Sequence, residues 1–370
     1  SIALLLTPHY MKAVREMLIE LVETIRNFRM VQASHLLCRQ GDASWVRHLF
    51  YKTQGTWKRW CGLRGYKAYK KRFISISDGR INKNMDVKPT EVKRMGVEKR
   101  YLSDVEAILS HRYDNGGELW ATADKRLLKG APFSTLESVL LLLELGMEPG
   151  EPLLQEAADL IFSTWQKDGR FKMYPRGGIY PCQTAHAANT LCHMGYVSDE
   201  RLQKTFRHLL DIQYTDGGWR CNKFSFGRGP ETEYSNPFPT LTVLNAFRFS
   251  DYLNQEPALD RAVDFLLEHW TIRKPIGPCH YGIGTLFMQV EYPFRNYNLF
   301  VYVYVLSFYN RAKNDERFLE ALKRLESKMV GGHIVVERVN RKLAGLSFCK
   351  QGKPSELATI RYHEILKNLG

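Results

Sequence analysis

No Cys-x-x-Cys pair occurs in the 370 residues, and the seven cysteines (38, 61, 182, 192, 221, 279 and 349) are odd in number. A disulfide framework is thereby disfavoured, and a reduced, cytoplasmic chain is expected. Long apolar runs are missing too. The opening SIALLLTPHYMK holds five consecutive apolar residues without a basic flank, too short for a secretory signal, and a start at Met11 is compatible with it. The longest later run, Asn298 to Tyr309, falls well short of a membrane span. Strand signals are scarce throughout, which excludes a β-rich core and leaves an all-α class.

Acidic residues are scarce in one segment. Between Val46 and Tyr101 there are 16 Lys/Arg against 4 Asp/Glu, so this stretch carries +12 of the net +14. The rest of the chain is close to neutral, which excludes a general nucleic-acid-binding surface. Within the basic segment and at its edge stand Trp45, Trp57, Trp60, Tyr66, Tyr69 and Phe73. Basic and aromatic residues interleaved in this way suit an anionic membrane surface, and less well single-stranded nucleic acid. Residues 8–37 read as one long amphipathic helix. A helical, basic extension over 1–100 is therefore expected to precede a separate domain over 101–370.

What the second domain has in abundance is repetition. Apolar helical segments start near Thr135, Thr184, Thr240, Asn298 and Thr359, spaced 49, 56, 58 and 61 residues. Charged, amphipathic segments alternate with them, beginning at Pro152, Asp199, Pro257 and Asp315. Two alternating helix classes at this period indicate a helical repeat array, with the apolar set as an inner layer and the amphipathic set outside. Proline stands at or just before each inner segment, at 132, 181, 237 and 239, 293 and 354, where its fixed φ suits a first turn. Glycine turns recur at the same phase: Asp114-Asn-Gly-Gly-Glu-Leu-Trp120, Asp168-Gly-Arg-Phe171, Asp216-Gly-Gly-Trp219 and Gly331-Gly-His-Ile334. Each is expected to stop a helix with positive φ and send an apolar side chain back onto the next repeat.

Gln213-Tyr-Thr-Asp-Gly217-Gly-Trp219 fits the QxxxGxW repeat of triterpene cyclases, and Gln166-Lys-Asp-Gly169-Arg-Phe171 is a shortened copy. Over roughly residues 101–370 the chain resembles the terpenoid cyclase and protein prenyltransferase α/α-toroid superfamily. The resemblance implies parallel inner helices around a central cavity, with electropositive N-termini converging at one end. It also implies an apolar, isoprenoid-like ligand that is bound in the cavity, with transfer or cyclisation as the implied chemistry. The chain lacks the cyclase DxDD and DDxxD clusters and the Asp-x-Cys of the zinc-dependent prenyltransferases. A non-catalytic binding or assembly module and a carbohydrate-active toroid therefore stand as alternatives.

The loops that deliver the inner helices hold the candidate chemistry. Glu231, Glu233 and Glu291 could supply a general acid, or an acid–base pair across a cleft, and His280 lies in a GPCHYGIG loop. Cys182 and His186 share a helix face, and with Cys221 and Cys279 they form a candidate zinc set. Trp219, Arg228, Tyr292, Tyr297, Phe300 and Tyr304 are the expected ligand contacts, the aromatic faces being suited to a developing cation.

Overall fold

The structure is a computed structural model that describes residues 97–221 and 226–370. The expected long N-terminal helix and nearly all of the basic segment lie outside the described residues. Among the described residues, eleven α-helices account for most of the regular structure. They are α1 (Leu102–Ser110), α2 (Thr135–Glu144), α3 (Pro152–Phe162), α4 (Pro181–His193), α5 (Glu200–Asp211) and α6 (Pro237–Phe247). After them come α7 (Pro257–Ile272), α8 (Leu299–Leu306), α9 (Asn310–Lys313), α10 (Glu316–Glu326) and α11 (Glu356–Leu369). The only sheet among the described residues is a hairpin of β1 (Met329–Val330) and β2 (His333–Ile334). Gly331 and Gly332, at φ of 57° and 79°, make its two-residue turn, where the sequence suggested only a helix stop. No helix among the described residues is long and apolar enough to cross a membrane.

Helix starts follow the expected chemistry. Pro181 and Pro237 open α4 and α6, while Ser134, Asn298 and Ser355 cap α2, α8 and α11 by accepting backbone N–H groups. Pro293 stands away from the start of α8, because Asn298 takes the capping role. The two helix classes differ in burial as their compositions require. Every residue of α8 is buried, whereas α5 and α10 bury a single stripe each.

The apolar helices contact one another in chain order: α4 packs on α2, α6 on α4, α8 on α6 and α11 on α8. The amphipathic helices cover them, α3 lying against α2 and α4, α5 against α4, α7 against α6, and α10 against α8. A side-chain link joins the last apolar helix to the first. Arg361 of α11 donates to both Glu144 oxygens of α2, at 2.9 and 3.0 Å.

The repeated threonines and the repeated glycine turns bond to each other. The backbone N–H of Phe171 donates to Thr184 Oγ1 (3.2 Å), that of Trp219 to Thr240 Oγ1 (3.0 Å) and that of Ile334 to Thr359 Oγ1 (3.0 Å). Each turn is thus tied to the first residues of the next apolar helix. In the central copy Gly217 has φ +90°, and a Cβ there would meet the Arg261 carbonyl at 2.5 Å. Gln213 donates to the carbonyls of Gly217 and Ala258, and the fully buried Trp219 donates its indole N–H to Leu209 O at 2.8 Å.

Candidate functional site

Polar residues inside the apolar helices converge on a cavity of about 390 Å³. Glu137 and Glu144 project from α2, two turns apart and so on one face. Asn189 and His193 come from α4, Asn245 from α6, Arg361 from α11, and Tyr292 and Arg295 from the segment before α8. Leu140, Leu141, Met147 and Phe294 form the apolar part of the wall.

Both arginines in this wall are paired with carboxylates. Arg295 pairs with Glu137 at 2.7 Å, and Arg361 with Glu144 on one side and Glu364 on the other. Tyr292 donates its hydroxyl to Glu144, and Tyr304 to Glu364 at 2.7 Å. Burial works against the Arg361 charge, but the Glu144 carboxylate outweighs it and holds the guanidinium above its ordinary range. Arg248 stands behind the wall with neutral partners. Its Nε donates to Asn245 Oδ1 at 2.7 Å, and its guanidinium lies over the Phe249 and Phe308 rings.

His193 is held neutral in this setting. Burial first, and the nearby Arg248 charge second, push its pKa down to about 3. Nδ1 faces the Asn189 carbonyl at 2.8 Å and so carries the ring proton, which leaves Nε2 to accept from Arg248 at 3.1 Å. Both nitrogens are occupied. The imidazole positions groups and is not a free base.

Several sequence-expected residues are placed elsewhere. Glu231 and Glu233 sit in a short 3-10 turn, Pro230–Glu233, where Glu231 accepts from the Gly229 N–H and Glu233 lies 3.6 Å from Arg220. Glu291 is buried, but its carboxylate is consumed by Arg338 and by Asn296 Nδ2. His280 is exposed at φ +58°, and Arg228 is exposed as well. None of these five lines the cavity.

Among the expected ligand contacts, Tyr292 lines the cavity, and Tyr304 reaches its edge through Glu364. Trp219 and Phe300 are fully buried packing residues. Tyr297 donates its hydroxyl to His269 Nδ1 at 2.9 Å, while His269 Nε2–H donates to Lys274 O, so both groups are tied inside the core. The cavity residues Glu137, Glu144, Asn189, His193, Asn245 and Arg361 went unnoticed in the sequence. Their signal was present: single polar residues at helical spacing within helices that are otherwise apolar.

Three of the four expected zinc ligands do come together. Cys182 Sγ lies 3.0 Å from Cys221 Sγ, and the Cys279 thiol donates to the Cys221 backbone carbonyl at 3.4 Å. Contact with Cys221, and burial after it, push the Cys182 and Cys279 thiols far above their usual range. These sulfurs do not stand at zinc-ligand spacing. Two thiolates on one tetrahedral Zn²⁺, each about 2.3 Å from the metal, stand roughly 3.8 Å apart. No group of three or more His, Cys, Asp or Glu among the described residues is arranged to hold a metal ion. His186 packs edge-on against Phe238, 5.9 Å between centroids, and burial lowers its pKa.

The chain matches no family model and no curated protein.

Proposed function

We propose that residues 101–370 form an α/α toroid of the terpenoid cyclase and protein prenyltransferase kind, and that its cavity binds an uncharged ligand with an isoprenoid-like apolar body and a polar end. The toroid reading is supported by the chain-order contacts of the apolar helices and by the Arg361–Glu144 link from last to first. The composition of the cavity wall carries the ligand reading. Leu140, Leu141, Met147 and Phe294 suit an apolar body, whereas Asn189, Asn245 and the two ion pairs suit hydroxyl or amide groups.

A diphosphate is disfavoured by charge. The wall carries Glu137, Glu144 and Glu148 against Arg295 and Arg361, so no surplus positive charge meets an anionic head. The groups expected to act as acid or base, Glu231, Glu233, Glu291 and His280, lie outside the cavity, so binding and not turnover is the function proposed. Thermal shift with prenyl alcohols, prenyl diphosphates and oligosaccharides tests this. Stabilisation by the alcohols that exceeds that by the matching diphosphates is the expected result. A shift with oligosaccharides alone would favour a carbohydrate-active toroid instead, and no shift with any of the three would end the cavity reading.

A further inference from the structure

The three gathered thiols have no part in the cavity. We propose that Cys182, Cys221 and Cys279 form a thiol–disulfide exchange site that takes small-molecule disulfides, with Cys221 as its centre.

The geometry assigns the roles. Cys221 is buried, 4% exposed, with its sulfur 3.0 Å from Cys182 Sγ and its carbonyl 3.4 Å from Cys279 Sγ, whereas Cys182 and Cys279 are partly exposed. At 3.0 Å the Cys182 and Cys221 sulfurs are about 1 Å from bonding distance. The three cysteines come from distant places: the first turn of α4, the second residue after Trp219, and the loop after α7. Only the packing of successive repeats joins them.

The chemistry balances with a disulfide RSSR as oxidant. The thiol of Cys182 or Cys279 attacks one sulfur, forming a mixed disulfide and releasing RSH, which carries away the proton. The Cys221 thiol then attacks the protein sulfur of that mixed disulfide and releases a second RSH. Two protein thiols are oxidised and one RSSR is reduced to two RSH. With Cys182–Cys221 formed, the Cys279 thiol can attack Cys221 and free Cys182 without any net change in oxidation state. Because the thiols are held protonated, the exchange is slow and is followed over hours.

The test uses the full chain, reduced, desalted and incubated natively with oxidised glutathione. It is then alkylated and read by intact mass and peptide mapping. Wild type should lose about 2 Da, with two of its seven cysteines protected from alkylation and joined as Cys182–Cys221. Cys182→Ser should move the bond to Cys221–Cys279. Cys221→Ser, its fold confirmed by circular dichroism, should carry only glutathione adducts. Full alkylation of the wild type would overturn the proposal. So would a bond to a cysteine outside the trio, or a Cys182–Cys279 bond in Cys221→Ser. Stoichiometric zinc in the purified chain that shields these thiols until chelation would overturn it as well.

Discussion

His269 should make the stability of this protein fall steeply between neutral pH and pH 5. The residue is fully buried on α7, with Nδ1 accepting from Tyr297 and Nε2–H donating to Lys274 O. Burial pushes its pKa from 6.5 down to about 4. The folded pKa lies below the unfolded one, so as pH falls the unfolded chain takes up the proton first. The stability due to the neutral ring is therefore complete above about pH 6.5 and is lost progressively down to about pH 4. With roughly 1.4 kcal/mol per pH unit across that window, the loss reaches about 2 kcal/mol at pH 5. Other groups titrate over the same range, so the measurement must be a difference. Urea unfolding of the wild type and of His269→Gln, at pH 8 and pH 5, isolates this one ring. The gap in unfolding free energy between them should shrink by about 2 kcal/mol at the lower pH. A gap that stays constant would show that His269 is solvated or already protonated, and the burial argument would fail.

Trp219→Ala should destabilise the protein by about 3–5 kcal/mol, because it empties a fully buried ring site. Trp219→Phe should cost less, about 1–2 kcal/mol, mainly by leaving the Leu209 carbonyl without its indole partner. Equal costs in chemical denaturation would contradict that division. Arg361→Leu leaves Glu144 without its guanidinium, an expected loss on the order of 2 kcal/mol for a pair of which about a quarter of each side chain is exposed. Adding Glu144→Leu should restore much of that loss. Coupling below about 0.5 kcal/mol in the double-mutant cycle would mean that this link between α2 and α11 contributes little.

The all-helical class, the two alternating helix types and the phase of the repeats are local matters, and the sequence by itself determined them. Helical periodicity, capping residues and glycine turns act within a few residues of one another, so α4, α6 and the Trp219 turn were legible from their own neighbourhoods. The threonine anchors were visible as a spacing, but their partners were not, because Thr184, Thr240 and Thr359 receive their bonds from turns that reach them only after packing. Site chemistry depended still more on tertiary structure. Glu291 looked like a free acid until Arg338, 47 residues away, took up its carboxylate. Glu137 and Glu144 went unread in the sequence because the arginines that pair with them, Arg295 and Arg361, stand 158 and 217 residues further on. A charge in sequence has only a type. Its function is set by which opposite charge desolvates beside it, and that was decided by the packing of distant helices.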